Sequence, residues 1–402
     1  MDDLIRATIH DALAVEEPPA GLRARVIGSI PMNKRETHTR RMPSLQWAAG
    51  FAAIVVTVSL IAGLVYYRAG LTISPSGKTP AASSARLTGP EGIAIAPDGT
   101  VYVADYIANR VYRVQPDGSL VTVAGGGSLY EGPATKSNIF GPVGLAFDQS
   151  GNLYIADGPG GTIRRVDRNG MLTTVAKIHG AGANLNAPYG IAFDTAGVLY
   201  VGDFSGDVVA IQPNGSISKV DLTAVPPPAV IPGYVSFDPA GNLYVADRNP
   251  QSTGLLGGGC RIIRIKLDRS VQVIAGTGKC GYSGDGGPAV GAQLDDPNGI
   301  AFDGSGNLYF ADANNHRIRR IDPRGIITTV AGTGVEGHTG DGGPAVKAEL
   351  GYLAGIAIQG KFLYVSDNCG CMDSAAYGAI RMVHLSNGTI TTVASSRSRV
   401  VS

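Results

Sequence analysis

Six copies of one pattern constrain this chain more than any other feature of its 402 residues. The pattern is Pro-x-Gly, an apolar residue, Ala and then Phe or Ile, with departures in the fourth and sixth copies. A Gly turn follows, and then Leu-Tyr-Val-Ala-Asp or a near variant. The first three copies are PEGIAI with VYVAD (Pro90–Ile95, Val101–Asp105), PVGLAF with LYIAD (Pro142–Phe147, Leu153–Asp157) and PYGIAF with LYVGD (Pro188–Phe193, Leu199–Asp203). The next two are PGYVSF with LYVAD (Pro232–Phe237, Leu243–Asp247) and PNGIAF with LYFAD (Pro297–Phe302, Leu308–Asp312). LAGIAI with LYVSD (Leu353–Ile358, Leu363–Asp367) completes the set without its proline.

After each Asp a charged–apolar alternation follows, such as Arg317–Ile321, and a last apolar segment such as Ile327–Ala331 closes the unit. Each unit therefore predicts four short strands of period two, joined by Gly, Asn, Asp and Pro turns. Glycine supplies 57 residues, roughly twice the usual share, and it punctuates the apolar runs as turn residues do. A lone four-stranded unit cannot bury both faces, so neighbours must stack into a ring. The expected fold is all-β, a six-bladed β-propeller over residues 86–396.

DANNHRIRR at Asp312–Arg320, preceded by GIAF and NLYF, resembles the NHL repeat, with Asn315-His316-Arg317 in the place of its signature. The spacers GYSGDGGPAVGAQL (Gly281–Leu294) and GHTGDGGPAVKAEL (Gly337–Leu350) are similar to the inter-blade segments of bacterial and teneurin-like NHL proteins.

Ahead of the repeats, residues 45–67 read LQWAAGFAAIVVTVSLIAGLVYY without a charge. As a helix this run covers roughly 34 Å, enough to cross the hydrocarbon layer. Trp47 near one end and Tyr66 with Tyr67 at the other suit the headgroup regions. Arg23, Arg25, Lys34, Arg35, Arg40 and Arg41 precede it, against only Arg68, Lys78 and Arg86 after it. The positive-inside bias places residues 1–44 in the cytoplasm and the rest outside. A cleaved signal peptide is the competing reading, but the run exceeds an h-region and no Ala-x-Ala site follows. Residues 68–85 read as a flexible stalk. Residues 1–44 carry two short amphipathic stripes, Leu4, Ile5, Ile9, Ala12 and Leu13, then Leu22, Val26 and Ile30. They predict a short helical segment with weak resemblance to the juxtamembrane parts of anti-sigma factors.

The repeated residues read as structure. Tyr102, Tyr154, Tyr200, Tyr244, Tyr309 and Tyr364 hold one strand position and suit packing. Asp105, Asp157, Asp203, Asp247, Asp312 and Asp367 end the second strand and are expected to accept N–H bonds of the following turn. Asp285 and Asp341 precede short helical turns, where capping or turn formation is the expectation. Their loops lack the alternating oxygens of a calcium loop and the Lys and Ser/Thr of a phosphate loop.

Function is expected where the repeat is broken. Connectivity places the second-to-third loops and the blade-to-blade loops on one face. There the sequence inserts residues 248–259 in blade four and 368–378 in blade six, and there lie His179 and His338. Elaborated loops on a rigid ring mark recognition more often than catalysis. The x of Pro-x-Gly, namely Glu91, Val143, Tyr189, Gly233, Asn298 and Ala354, should line the channel mouth on this face. Glu91, Tyr189 and Asn298 are the candidate ligand-binding residues.

Lactonase-type propellers, by resemblance, hold calcium or zinc with several converging oxygens, and here only Glu91 and Asn298 could contribute. Lyase-type propellers imply channel histidines, whereas His179, His316, His338 and His384 all lie off the innermost strands. A His179/His338 metal pair is the remaining possibility across the face. No Gly-x-Ser-x-Gly elbow is present.

The four cysteines suit an oxidising compartment. Cys260 with Cys280 is the preferred disulfide, leaving Cys369 and Cys371 as a local pair; a four-cysteine zinc site is the alternative. Acidic residues outnumber basic ones by 26 to 22 between Arg86 and Ala394, so the basic footprint of a nucleic-acid binder is missing.

The resulting expectation is a membrane-anchored, extracytoplasmic module that binds or senses a protein, peptide or glycan, without a cofactor. The alternative is a channel-metal enzyme of lyase or lactonase type using calcium or zinc.

Overall fold

The computed structural model describes residues 85–177, 187–204, 206–227, 229–248, 259–368 and 378–396. The expected cytosolic segment, membrane span and most of the stalk lie outside these residues, as do His179, Cys369 and Cys371. Among the described residues, no helix is long and apolar enough to cross a membrane.

The repeats fold into six sheets, each with four antiparallel strands in chain order, and five of these sheets hold those strands alone. In blade one the strands are Pro90–Ile95, Val101–Asp105, Arg110–Val114 and Leu120–Gly125. Blades two to five begin with Pro142–Phe147, Pro188–Phe193, Pro232–Phe237 and Pro297–Phe302, the bounds that the pattern predicts. Blade six is slightly longer, starting with Tyr352–Gln359 and Phe362–Asn368. The second blade takes a fifth edge strand, Gly132–Pro133, from the segment that leads into it.

Every first strand carries an irregularity at its Pro-x-Gly. In blade one, Pro90 faces Asp105 and Ile93 faces Val103, so the two residues between them bulge out of the ladder. A bulge re-aims a side chain locally, which sets the x residue apart from the sheet faces.

First strands pack side by side around the ring, and the first strand of blade six packs against that of blade one. The Pro-x-Gly glycines make this approach possible. A Cβ on Gly144 would strike the Tyr189 carbonyl, and one on Gly355 would lie 2.6 Å from the Glu91 carbonyl. The core fills the spaces between blades. Ala94, Ala104 and Val111 of blade one pack with Leu145, Ile155 and Leu172 of blade two. The repeated tyrosines bridge the same spaces: Tyr102–Phe147, Tyr154–Phe193, Tyr200–Phe237 and Tyr244–Phe302 meet edge to face at 4.8–5.1 Å. Blades six and one share no strand. Their junction is sealed by fully buried Leu87 among Ile93, Val103 and Ile380, and by Asn368 Nδ2 donating to the Pro90 carbonyl at 2.6 Å.

Two expectations are corrected. The repeated aspartates mostly reach back to the segment entering their own blade rather than forward to the next turn. Asp157 accepts from Phe140 N, Asp312 from Asp295 N and Asp367 from Gly351 N, at 2.6–2.7 Å. Asp105 also takes a following N–H, that of Ala108, and Asp247 takes that of Gly259. The carboxylate therefore ties the lead-in to the second strand. Of the two roles expected for Asp285 and Asp341, turn formation holds, since Gly287 N donates to the Gly284 carbonyl at 3.0 Å and Gly343 N to the Gly340 carbonyl at 3.1 Å around them. Capping does not, because the short turns after them begin without a side-chain cap. Each instead pairs with a buried arginine of the next blade's third strand, Arg319 at 2.7 Å and Arg381 at 2.9 Å. Those arginines also reach Asp312 and Asp367. A buried charge needs such partners, and the loop acids supply them.

A candidate binding site at the channel mouth

The loop-rich face gathers the predicted residues into one network. Glu91 is half-buried, and Tyr189 Oη donates to its Oε2 at 3.3 Å. Fully buried Asn298 donates from Nδ2 to Tyr352 Oη and to the Leu353 carbonyl, both at 3.3 Å. Tyr352 Oη donates in turn to Asp296 Oδ2 at 2.7 Å. Asp296 holds Arg248 through Nε at 2.9 Å and Nη2 at 2.8 Å. The guanidinium lies 4.8 Å from the Tyr189 ring centre and 5.2 Å from that of Phe204. Glu91, Tyr189 and Asn298 are thus joined, with Arg248 as the hub.

The pattern alone did not single out Arg248, Asp296, Tyr352, Phe204 or Tyr234. Phe204 and Arg248 are equivalent, each directly following its blade's repeated aspartate. That position, occupied also by Tyr106 and Asn368, forms a second ring at the mouth, and the repeat spacing would have found it. Tyr234 stands where other copies have the glycine of Pro-x-Gly, and Gly233 occupies the x position. A Cβ on Gly233 would strike Arg248 Cδ, so the exchange makes room for the arginine. Tyr352 comes just before the copy that lacks its proline.

Burial pushes the Glu91 carboxyl up to about 7, with the Arg248 charge and the Tyr189 hydrogen bond pulling the other way. Burial also pushes the hydroxyls of Tyr189, Tyr234 and Tyr352 up, so all three stay protonated donors. Asn298 Oδ1 and Tyr234 Oη are buried without a hydrogen-bond partner among the described residues. Beside the mouth lie exposed apolar side chains, Tyr106 at 41 %, Ile107 at 60 % and Phe140 at 42 %. Gly141, next to Phe140, sits against the Tyr106 ring. After burial, the Glu91 charge is what raises the Tyr106 hydroxyl.

A metal finds little here. Among the described residues, the one group of candidate ligands is Cys260, Cys280 and Asp295. Cys260 and Cys280 form the expected disulfide, which leaves them no thiolate to offer and removes the four-cysteine zinc alternative. His338 Nδ1 lies 3.4 Å from Asp367 Oδ1.

Comparison with known proteins agrees with this architecture. The family model described as "Teneurin NHL domain" matches residues 178–336, and "SMP-30/Gluconolactonase/LRE-like region" matches residues 69–181. Mouse teneurin-3 is 39 % identical over 114 residues, covering 25 % of this chain and 4 % of teneurin-3. Human teneurin-1 is 33 % identical over 210 residues, covering 50 % of this chain and 6 % of teneurin-1. The chain therefore spans only a small part of these relatives. Among solved structures, a Bacteroides thetaiotaomicron protein of unknown function superposes with a TM-score of 0.57 at 19 % identity, over 70 % of this chain and 68 % of the other. An auxiliary nutrient binding protein from the same organism gives 0.53 at 16 % identity, over 70 % and 67 %. At that identity the likeness speaks for the fold. Six closed blades, the repeated Pro-x-Gly and Tyr-x-x-Asp residues and the teneurin match converge: the chain carries an NHL-repeat β-propeller.

Proposed function

We propose that this protein is a membrane-anchored, extracytoplasmic binding or sensing module without catalytic activity, and that its propeller engages a protein, peptide or glycan at the channel mouth. Residues 45–67 would hold it as a single span, with residues 1–44 in the cytoplasm. The observation that carries the reading is the pairing of a half-buried acid, Glu91, with an exposed apolar rim of Tyr106, Ile107 and Phe140. Aromatic anchors around a partly desolvated polar centre are the composition of recognition surfaces. Nothing in the network resembles a nucleophile with its base.

The alternative, a channel-metal enzyme of lyase or lactonase type, draws support from the SMP-30/gluconolactonase-like match and from Glu91 with Asn298 at the mouth. Arg248 weighs against it. A guanidinium fixed by Asp296 puts a permanent positive charge where a divalent cation would have to bind.

Photo-crosslinkers placed at Tyr106 and at Phe140 in the full-length protein, in living cells, test the proposal. Adducts at both sites, lost with Glu91→Gln and absent from a probe at Leu267 on the opposite face, are expected. Adducts that are equal at Leu267, or that ignore Glu91→Gln, would contradict it.

A further inference from the structure

Much of the hydrogen-bonding capacity at the mouth is spent inside the network, and what is left over has a definite chemistry. Tyr189 Oη is used on Glu91 and Tyr352 Oη on Asp296. Asn298 Nδ2 is used on Tyr352 Oη and the Leu353 carbonyl. Arg248 spends Nε and Nη2 on Asp296 and Tyr352. Four groups keep capacity among the described residues. Asn298 Oδ1 and Tyr234 Oη are buried and bond nothing, in residues only 0 % and 8 % exposed. Glu91 takes its one hydrogen bond at Oε2, which leaves Oε1, and Arg248 keeps Nη1. Buried polar atoms without a partner are rare in native proteins and mark places where a ligand or an ordered water completes the bonding.

These groups belong to one cluster. Tyr234 stands edge to face against Tyr189, with ring centres 5.3 Å apart. After burial, the Glu91 charge does most to raise the Tyr234 hydroxyl. Tyr352, which holds Asn298, is raised by burial and then responds to Arg248, Asp296, Tyr189 and Glu91.

Charge narrows the ligand. Arg248 is matched by Asp296 at 2.8 Å. An ammonium would sit beside the guanidinium, and a carboxylate beside Glu91 and Asp296, so neither ion is favoured. A neutral group must donate to Asn298 Oδ1 and Glu91 Oε1 and accept from Tyr234 Oη and Arg248 Nη1. A primary carboxamide carries two N–H donors on one nitrogen and two lone pairs on one oxygen. It answers that set in number and kind. Paired sugar hydroxyls could do the same, and the rim decides between them. Ile107 and Phe140, 60 % and 42 % exposed, offer apolar surface that suits an apolar residue beside the carboxamide in a peptide, not a hydroxylated ring.

We propose that the mouth takes the side-chain carboxamide of an Asn or Gln presented by a peptide or protein loop, with a neighbouring apolar residue of that loop against Tyr106, Ile107 and Phe140. The proposal rests on the mouth being the binding surface and names the anchor that it binds. Tyr234 and Asn298 are then specificity-determining residues, and an acid in place of the amide is rejected.

The test measures retention of the full-length protein, in detergent micelles, on beads densely coated with acetyl-Leu-Xaa-Leu peptides in which Xaa is Asn, Gln, Asp, Lys or Leu. Glucose-coated beads are a further arm. Asn or Gln beads should retain at least about tenfold more protein than any other bead, as a site built to hydrogen-bond a group rejects analogues lacking it. Tyr234→Phe should lower that retention at least about threefold. Its Tm should stay within about 1 °C of the parent, because the hydroxyl has no internal bond to lose. Equal retention on all beads, no retention on any, or a preference for Asp, Lys, Leu or glucose overturns the carboxamide anchor, and so does full retention by Tyr234→Phe. Adducts in cells at Tyr106 and Phe140 read the mouth separately. Adducts without a carboxamide preference overturn the anchor and leave the mouth as the binding surface, whereas their absence overturns both.

Discussion

Arg248 and Asp296 meet with both guanidinium nitrogens on both carboxylate oxygens, at 2.9 and 2.8 Å, while only 4 % and 3 % of their side chains face solvent. One follows the second strand of blade four and the other precedes the first strand of blade five. The pair therefore locks two blades at the channel mouth, and it positions the face of the cation under Tyr189 and Phe204.

Removing one partner should be far worse than removing both. Asp296→Ala leaves a buried guanidinium uncompensated and should cost about 3–5 kcal/mol of stability. The Arg248→Met/Asp296→Leu double variant should fall within about 1–2 kcal/mol of the parent, because nothing charged stays stranded. Denaturant midpoints of the three proteins check this ordering.

The strands were legible in the sequence because period-two apolar runs between glycine turns leave little freedom, and six repetitions fix the bounds. Glu91, Tyr189 and Asn298 were legible for the same reason, as the variable position of an otherwise fixed motif. What escaped were partners supplied by distant segments. The repeated aspartates bond backbone 16 or 17 residues upstream, and Asp285 bonds an arginine 34 residues downstream in the next blade. No local pattern encodes such pairings. Arg248 was hidden differently: it opens the blade-four insertion and reads as its first loop residue.

Glu91 should make the fold pH-dependent. Its carboxyl titrates near 7 in the folded protein against 4.5 ordinarily. The folded state therefore keeps a proton that the unfolded chain releases, so stability falls as pH rises from about 4.5 to about 7. For a half-buried group the loss should be about 2 kcal/mol. Asp157 and Asp312, raised to about 6 by burial, act in the same direction. The difference in pH slope between the parent and Glu91→Gln, measured by chemical denaturation, isolates the Glu91 share.

Ring closure depends on a missing side chain. Gly144→Ala drives a Cβ into the Tyr189 carbonyl of the next blade. The backbones must part, at about 1–3 kcal/mol, and Tyr189 must move away from Glu91. Gly170→Ala meets nothing within 4 Å but has a φ of +74°, so it should cost only the smaller backbone strain, about 1 kcal/mol. Thermal melts of the two variants compare the effects.

The Cys260–Cys280 bond closes a loop with a sequence separation of 20. Loop entropy assigns it about 3 kcal/mol. Cys260→Ser/Cys280→Ser should lower the denaturant midpoint by a corresponding amount and leave the circular dichroism of the sheet unchanged.

All binding roles proposed for the mouth require the propeller to stand outside the cytoplasm. The direct measurement is labelling with a membrane-impermeant maleimide in sealed cells freed of any outer envelope, with cysteines introduced at Leu267, which is 76 % exposed, and at Ser29 ahead of the expected span. Leu267→Cys should label in intact cells and Ser29→Cys only after lysis. Labelling of Ser29→Cys before lysis, with Leu267→Cys protected, would contradict the account.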